Sequence, residues 1–164
     1  MSFSFLNNFV KMIPSNVDIV GITVKEIIQY LEAVCGYIDD DVLFDLRVIL
    51  NELILNAIIH GNKADMNKYV KITTGLAKGN YIYMVVTDDG EGYDYEYLLK
   101  KCEILKKCEV PYDDYNINYL SETGRGILII KSLCEKVKFN EKGNKVVVLK
   151  KLNGIGETAD NCLK

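Results

Sequence analysis

Apolar and polar side chains follow two different spacings along this chain, and the spacing separates helices from strands. From about residue 19 to residue 60, apolar residues recur every three or four positions, the period of an amphipathic helix. Shorter runs rich in β-branched and aromatic residues are typical of strands. The pattern predicts an α/β order: a first strand within 1–12, ended by Pro14-Ser15-Asn16; helices over about 19–36 and 40–60; a hairpin of strands 69–75 and 81–87; a helix over about 126–136; and strands near 137–139 and 145–152.

The second predicted helix carries a polar stripe on an otherwise apolar surface. At about 100° per residue, Asp45, Glu52, Asn56 and His60 fall within roughly an 80° arc. A solvated face would explain any one of them. A second polar strip on the other side of the same helix already provides that face, so we expect the stripe to line a ligand cleft. His60 taken alone is more typical of a cap or packing residue than of a catalytic base.

Three short motifs add chemistry to this framework. Glu52 and Asn56 lie four residues apart, so a helix places the carboxylate and the carboxamide on one face, an arrangement suited to a metal-bound phosphate. Asp88-Asp89-Gly90-Glu91-Gly92 follows a strand and allows the backbone to approach a flat ligand such as adenine. Gly124-Arg125-Gly126 precedes an apolar run and reads as a helix start whose N–H groups can bind phosphate oxygens.

Each motif has an ordinary explanation when it is taken alone. An Asp-Asp-Gly sequence after a strand is also a good turn, and a short Gly-x-Gly before a helix specifies little. Their order and joint presence carry the prediction of a nucleotide site.

Composition narrows the class of protein. The chain has 164 residues, 49% of them hydrophobic, and a net charge of −3 with dispersed lysines, which argues against binding to nucleic acid. Five cysteines and a single histidine indicate neither a disulfide framework nor a zinc site. The sequence shows no signal peptide and no membrane span, so we expect a cytoplasmic protein that does not bind membranes. We expect one domain over residues 1–152 and a polar, mobile tail over 153–164.

Together the three motifs resemble the N, G1 and G2 boxes of the GHKL ATPase superfamily, which includes histidine kinases, DNA gyrase B, heat-shock protein 90 and MutL proteins. Within it, the run from Asn56 to Gly61 resembles the anti-sigma factor serine kinases of Gram-positive bacteria. The resemblance implies a Bergerat ATP-binding fold, a two-layer α/β sandwich whose mixed sheet is covered by helices on one face. It also implies a lid over residues 93–123, whose tyrosines at 93, 95, 97, 112, 115 and 119 we expect mostly to pack, with partner contacts as the alternative.

The resemblance also implies roles for individual residues in binding ATP and Mg²⁺. Glu52 would act as general base, and Asn56 would be the Mg²⁺ ligand. Asp88 would accept a hydrogen bond from the adenine amino group. The glycines would shape the pocket or hold the phosphates through their N–H groups: Gly90, Gly92, Gly124 and Gly126.

One departure from the family pattern leaves two functions open. The related kinases place an arginine just before the G2 glycines, whereas this chain has Glu122. Arg125, or a lid lysine such as Lys106 or Lys107, is the alternative source of positive charge. If one of them supplies it, the resemblance implies a kinase that binds a sigma factor and phosphorylates an anti-anti-sigma antagonist, and it leaves a homodimer open. Otherwise it implies an ATP-dependent protein-binding module with little or no phosphotransfer.

Overall fold

A computed structural model describes residues 8–97, 100 and 122–152, which together form a sheet and the helices packed on it. Residues 1–7, most of the expected lid and the tail 153–164 lie outside the described residues. The elements in chain order are β1 (Asn8–Pro14), a 3₁₀ turn (Val17–Ile19), α1 (Val20–Cys35), α2 (Asp40–Asn56), a π-helical turn (Ala57–Gly61), β2 (Tyr69–Ala77), β3 (Tyr81–Asp88), α3 (Glu122–Leu133), β4 (Lys136–Phe139) and β5 (Lys145–Lys151).

The five strands form one sheet in the order β1-β2-β3-β5-β4, with β3 at its centre. Each hydrogen-bonded pair of strands in this sheet is antiparallel. The mixed sheet that the resemblance implied would allow parallel pairs as well. Buried residues alternate along β2, as they do when one face of a sheet is covered. This face and the helices share the hydrophobic core, so the expected two-layer α/β sandwich is confirmed.

The ends of α1 and α2 are fixed by local signals that the sequence contains. The Asp39 side chain accepts a hydrogen bond from the backbone N–H of Asp41 at 3.0 Å, which caps the start of α2. At the end of α1, Gly36 takes a positive φ of 74°, a conformation that favours glycine. Helix α1 therefore ends, and helix α2 begins, where the sequence pattern predicts.

Two helix boundaries differ from the prediction. The second helix is α-helical only as far as Asn56 and continues as the π-helical turn, closed by a bond from Asn62 N–H to the Ala57 carbonyl at 2.8 Å. Helix α3 already includes Glu122, whereas the sequence pattern predicted a start near residue 126, because packing against α2 overrides the weak helix propensity of its two glycines. Gly124 and Gly126 therefore lie within α3 and not before it.

A partly buried ion pair links the sheet to the helices that pack on it. Lys150 Nζ on β5 bonds to Asp45 Oδ2 on α2 at 2.7 Å and to the Leu133 carbonyl at the end of α3, also at 2.7 Å. The ammonium group thus has charged and neutral acceptors where water is largely excluded. Asp45, predicted to be part of the cleft-lining stripe, instead holds two helices to the sheet.

Candidate functional site

The site is built around Asp88, the last residue of the central strand. Its side chain is buried, and Oδ1 accepts a hydrogen bond from the backbone N–H of Gly90 at 2.9 Å. Burial raises the pKa of the carboxyl group, while the Gly90 N–H and the nearby Lys142 charge act in the opposite direction. Oδ2 has no hydrogen-bond partner among the described residues, so this largely buried side chain keeps one acceptor atom that a donor from a ligand can reach.

Glycines make room for this carboxylate. A Cβ atom on Gly61 would overlap the carboxylate of Asp88, and one on Gly90 would overlap the Gly61 carbonyl. The end of the π-helical turn therefore lies directly against the end of β3, with no side chain between them. Gly90 lies beside Asp88 and against the Gly61 carbonyl, and its role in shaping a nucleotide pocket stays a prediction.

Asn62 links this contact to the rest of the sheet. Its side chain is fully buried, and Nδ2 donates to Ser15 Oγ at 2.8 Å and to the Tyr69 carbonyl at 2.9 Å. Its Oδ1 accepts from the backbone N–H of Asp89 at 2.8 Å. One buried amide thus joins the end of β1, the start of β2 and the turn after Asp88.

The backbone of Asp88 is held from the opposite side by Asn144, in the turn between β4 and β5. Asp88 N–H donates to the Asn144 carbonyl, and Asn144 Nδ2 donates to the Asp88 carbonyl, both at 2.9 Å. Asn140 shapes this turn, since its Oδ1 accepts from three successive backbone N–H groups, of Gly143, Asn144 and Lys145.

Glu52 and Asn56, two residues of the predicted polar stripe, lie on the side of α2 that faces α3. A Cβ atom on Gly126 would overlap Glu52 Oε2 and lie 3.4 Å from Asn56 Nδ2. The glycine therefore allows α3 to approach the carboxylate and carboxamide of α2 closely. As the fifth residue of a regular helix, Gly126 would direct its own N–H to the carbonyl four residues earlier.

Gly124 and Arg125 occupy the preceding positions of α3. Gly124 is buried, whereas the Arg125 side chain is exposed. Successive helical residues point about 100° apart, so Arg125 lies to the side of the contact that Gly126 makes with Glu52. Arg125 forms no ion pair with the part of the chain that the structure describes, and its guanidinium is open to a ligand or partner.

Gly92 and Gly143 bring the segment after Asp88 into contact with the β4–β5 turn. Gly92 has a φ of 92°, and a Cβ atom there would overlap the Lys142 carbonyl. A Cβ atom on Gly143 would likewise overlap the Tyr93 carbonyl. Gly92 and Gly143 are thus needed for backbone contacts that no larger residue permits.

Asn56 and Asp88 line the same small cavity, together with side chains from the neighbouring helices and strands. Its volume is about 20 Å³, and its remaining lining is Leu53, Ala57, Val86, Tyr95, Ile127, Ile130, Phe139, Gly143, Asn144, Lys145 and Val146. The structure therefore brings the first two motifs to one cavity, with Gly126 of the third motif against Glu52 beside it.

The residues present fit a nucleotide with a magnesium ion. Asp88 Oδ2 offers an unpaired acceptor on a largely buried side chain, and Asn56 offers an amide oxygen of the kind that Mg²⁺ accepts alongside phosphate oxygens. Within residues 8–97, 100 and 122–152, no group of three His, Cys, Asp or Glu side chains forms a metal cage. Across the same residues, no helix has the length and apolar composition that spanning a bilayer requires.

Sequence reasoning missed several residues that position this site. Neither Asn62 nor Asn144 was predicted to belong to the site. Gly61 appeared in the first motif without a role. Their side-chain types were compatible with ordinary turns, so the sequence alone offered no signal that they support Asp88.

The comparison with known proteins agrees with this geometry. Residues 21–150 match the family model described as "Histidine kinase-like ATPase domain", and the chain belongs to that family. The GHKL resemblance is thereby confirmed.

Similar proteins include two serine-protein kinases. The serine-protein kinase RsbW of Bacillus subtilis (strain 168) is 28% identical over 154 residues, which cover 93% of this chain and 90% of that protein. The protein of the same name from Staphylococcus aureus (strain JH9) is 30% identical over 105 residues, or 63% and 62% of the two chains. A solved histidine kinase domain from the Erythrobacter litoralis EL346 blue-light activated histidine kinase has a TM-score of 0.47 at 16% identity, over 85% of this chain and 62% of that one.

The raised pKa of Asp88 predicts a pH-dependent cost to stability. In the unfolded chain an aspartate has a pKa of about 3.9, which is lower than the pKa of Asp88 in the folded protein. As the pH rises from the unfolded pKa to the folded pKa, the unfolded chain releases its proton first, and the free energy of unfolding decreases. Asp88→Asn keeps an acceptor for the Gly90 N–H and removes the buried charge. We expect a higher melting temperature than wild type at pH 7.5, and a smaller difference near pH 4.

Thermal unfolding followed by circular dichroism without nucleotide measures this difference. The exposed carboxylate of Asp18 provides a matched control, Asp18→Asn, for the loss of one negative charge. A melting temperature of Asp88→Asn below that of wild type at pH 7.5 would contradict the prediction.

Proposed function

We propose that this chain is an ATP-dependent serine protein kinase of the anti-sigma factor type, which binds a sigma factor and phosphorylates an anti-anti-sigma protein. The observation that carries the proposal is the meeting of Asn56 and Asp88 in one cavity, with Glu52 beside it against Gly126. Similarity to the RsbW serine-protein kinase along nearly the whole chain supports the choice of reaction.

In this proposal the base and the phosphates of ATP bind at opposite ends of the site. Asp88 Oδ2 accepts a hydrogen bond from the adenine amino group, while Gly90 and Gly92 keep the adjacent backbone close to the base. Asn56 would hold Mg²⁺, which would supply positive charge to the phosphates. The N-terminal turns of α3, with Gly124 and Gly126, approach the phosphates with the positive end of the helix dipole.

Glu52 is the proposed general base. Its carboxylate accepts the proton of the attacking serine hydroxyl while the serine oxygen forms a bond to the γ-phosphorus and the bond to the ADP oxygen breaks. Because Glu52 lies one helical turn before Asn56 on α2, it is next to the expected metal position and remains on the cleft side.

The second candidate is a binding module that uses ATP to select its protein partner and transfers phosphate slowly or never. Two observations favour keeping this candidate. The Arg125 side chain is exposed, and the ion pairs among the described residues, Lys11–Glu26 and Lys150–Asp45, do not include Glu52. Both candidates require ATP in the same pocket, and they differ in whether a cation reaches the γ-phosphoryl group.

A homodimer is part of the proposal. On β1, an edge strand, Val10 and Met12 are 54% and 61% exposed on the face of the sheet that the helices leave uncovered. Apolar side chains exposed side by side are compatible with a protein contact at this position.

The base assignment predicts selectivity for adenine, because guanine carries a carbonyl oxygen where adenine carries the amino group. We expect Mg²⁺-dependent binding of ATP and much weaker binding of GTP, measured by isothermal titration calorimetry. Asp88→Asn should weaken ATP binding by about 1–3 kcal/mol, the cost of impairing a buried hydrogen bond. Equal affinities for ATP and GTP would rule out the assignment of Asp88 to the adenine.

Glu52 and Asn56 should separate chemistry from binding. Glu52→Gln is expected to leave ATP affinity nearly unchanged and to lower the phosphotransfer rate by about 10²–10⁴-fold. Asn56→Ala is expected to weaken the part of ATP binding that depends on Mg²⁺. Calorimetry with and without Mg²⁺, together with single-turnover kinetics, measures both effects. Full transfer activity in Glu52→Gln would remove it as the base.

Phosphotransfer itself distinguishes the two candidate functions. The protein is incubated with radiolabelled ATP and a candidate anti-anti-sigma protein from the same genome, and serine phosphorylation is measured. If Arg125 supplies charge to the γ-phosphoryl group, Arg125→Ala should lower the rate by about 10²-fold or more. An unchanged rate would exclude Arg125 from this role, and no transfer by a protein that binds ATP would favour the binding module.

A further inference from the structure

Tyr95 lines the same cavity as Asn56 and Asp88. It stacks on Phe139 of β4 with ring centroids 3.9 Å apart and an angle of 12° between the ring planes. Burial raises the pKa of the Tyr95 phenol to about 12, with the Asp88 charge as a second cause. The phenol is therefore neutral near the carboxylate at any ordinary pH, and a planar aromatic group with a polar tip occupies this end of the site.

The backbone holds Tyr95 in this position. Gly92 and Gly143 allow the segment before Tyr95 to contact the β4–β5 turn directly. Residues 95–97 are helical, and this start is capped by Asp94, whose Oδ1 accepts from the backbone N–H of Tyr97 at 2.9 Å. The position of the ring is thus a consequence of defined backbone contacts.

The cavity that Tyr95 shares with Asn56 and Asp88 is too small for a base. A cavity of about 20 Å³ holds roughly one water molecule, whereas small-molecule sites measure roughly 300–1,000 Å³. At a centroid separation of 3.9 Å, the Tyr95 and Phe139 rings are in contact, and no planar group fits between them. A base can reach Asp88 through this cavity only if the Tyr95 ring leaves.

We propose that Tyr95 is an internal competitor of the nucleotide, with its ring occupying the base-binding space between Phe139 and Asp88. This inference rests on the proposed ATP binding and adds its regulation. When Tyr95 leaves, Phe139 remains as an aromatic surface on which the adenine stacks, beside the Asp88 acceptor. ATP therefore binds only the fraction of molecules in which the ring is out, and its apparent affinity is reduced by that fraction.

Removing the ring should tighten nucleotide binding. An aromatic pair of this kind stabilises the occupied form enough to shift a two-state equilibrium by about 2- to 10-fold. We expect Tyr95→Ala to lower the dissociation constant of ATP with Mg²⁺ by this factor, as measured by calorimetry. Tyr97→Ala is the matched control, since that tyrosine is 64% exposed two residues away and should leave the constant unchanged.

A second measurement follows the ring in the wild-type sequence and does not depend on how well the variant folds. The protein is labelled with 3-fluorotyrosine, and Tyr95→Phe identifies the Tyr95 signal in the ¹⁹F spectrum. Without nucleotide, Phe139→Leu should shift this signal, because it removes the ring current of the stacking partner. Saturating ATP with Mg²⁺ should move the signal towards the position of an exposed tyrosine.

The outcomes separate the two proposals. Tighter binding by Tyr95→Ala with the expected signal movement supports the competitor, and so does binding by Tyr95→Ala when the wild type binds none. Binding by both proteins with equal or weaker affinity in the variant overturns the competitor alone, since a weaker affinity means that Tyr95 stacks on the bound base. No nucleotide binding by either protein overturns the proposed function, and the competitor with it.

Discussion

The burial of the Asp88 carboxylate is the constraint on which the candidate site depends. A carboxyl group at the end of a central strand loses its hydration, and the raised pKa expresses the cost. The surrounding structure offsets only part of this cost, through one backbone N–H and the charge of Lys142. A buried acceptor that is incompletely satisfied can bind a donor strongly, which is a property of binding sites rather than of stable cores.

Close backbone approach around that carboxylate explains the other motif residues. Gly61 and Gly90 meet beside it, and Gly92 and Gly143 join the next segment to the β4–β5 turn. The asparagines then fix the backbone on both sides: Asn62 from the π-helical turn and Asn144 from the β-turn. The local backbone therefore requires these glycines and asparagines, whatever chemistry the site performs.

Helix α2 connects the core to the site. Its apolar side is buried against the sheet, and the adjoining side carries Asp45 near the start and then Glu52 and Asn56. Asp45 forms an ion pair with Lys150 of β5, which holds this part of the helix to the sheet. Glu52 and Asn56 lie against Gly126, so the position of α3 determines the space around their side chains. This holds for both proposed functions, the kinase and the binding module.

The sequence by itself determined the element order, the first helix caps and the three motifs, because helix periods, capping residues and turn residues are properties of neighbours along the chain. It also led to the right family, and to Asn56 and Asp88 as residues of one site. The tertiary structure alone decided which distant residues meet. Asp45 and Lys150 lie 105 residues apart, and nothing local indicates that the carboxylate pairs across the layers rather than facing the cleft. The π-helical turn, the earlier start of α3 and the support of Asp88 by Asn62 and Asn144 likewise depend on packing between segments. Tyr95 was one of several tyrosines expected to pack, and only the fold shows that it packs on Phe139 within the cavity of Asp88, because that contact joins two segments separated by α3.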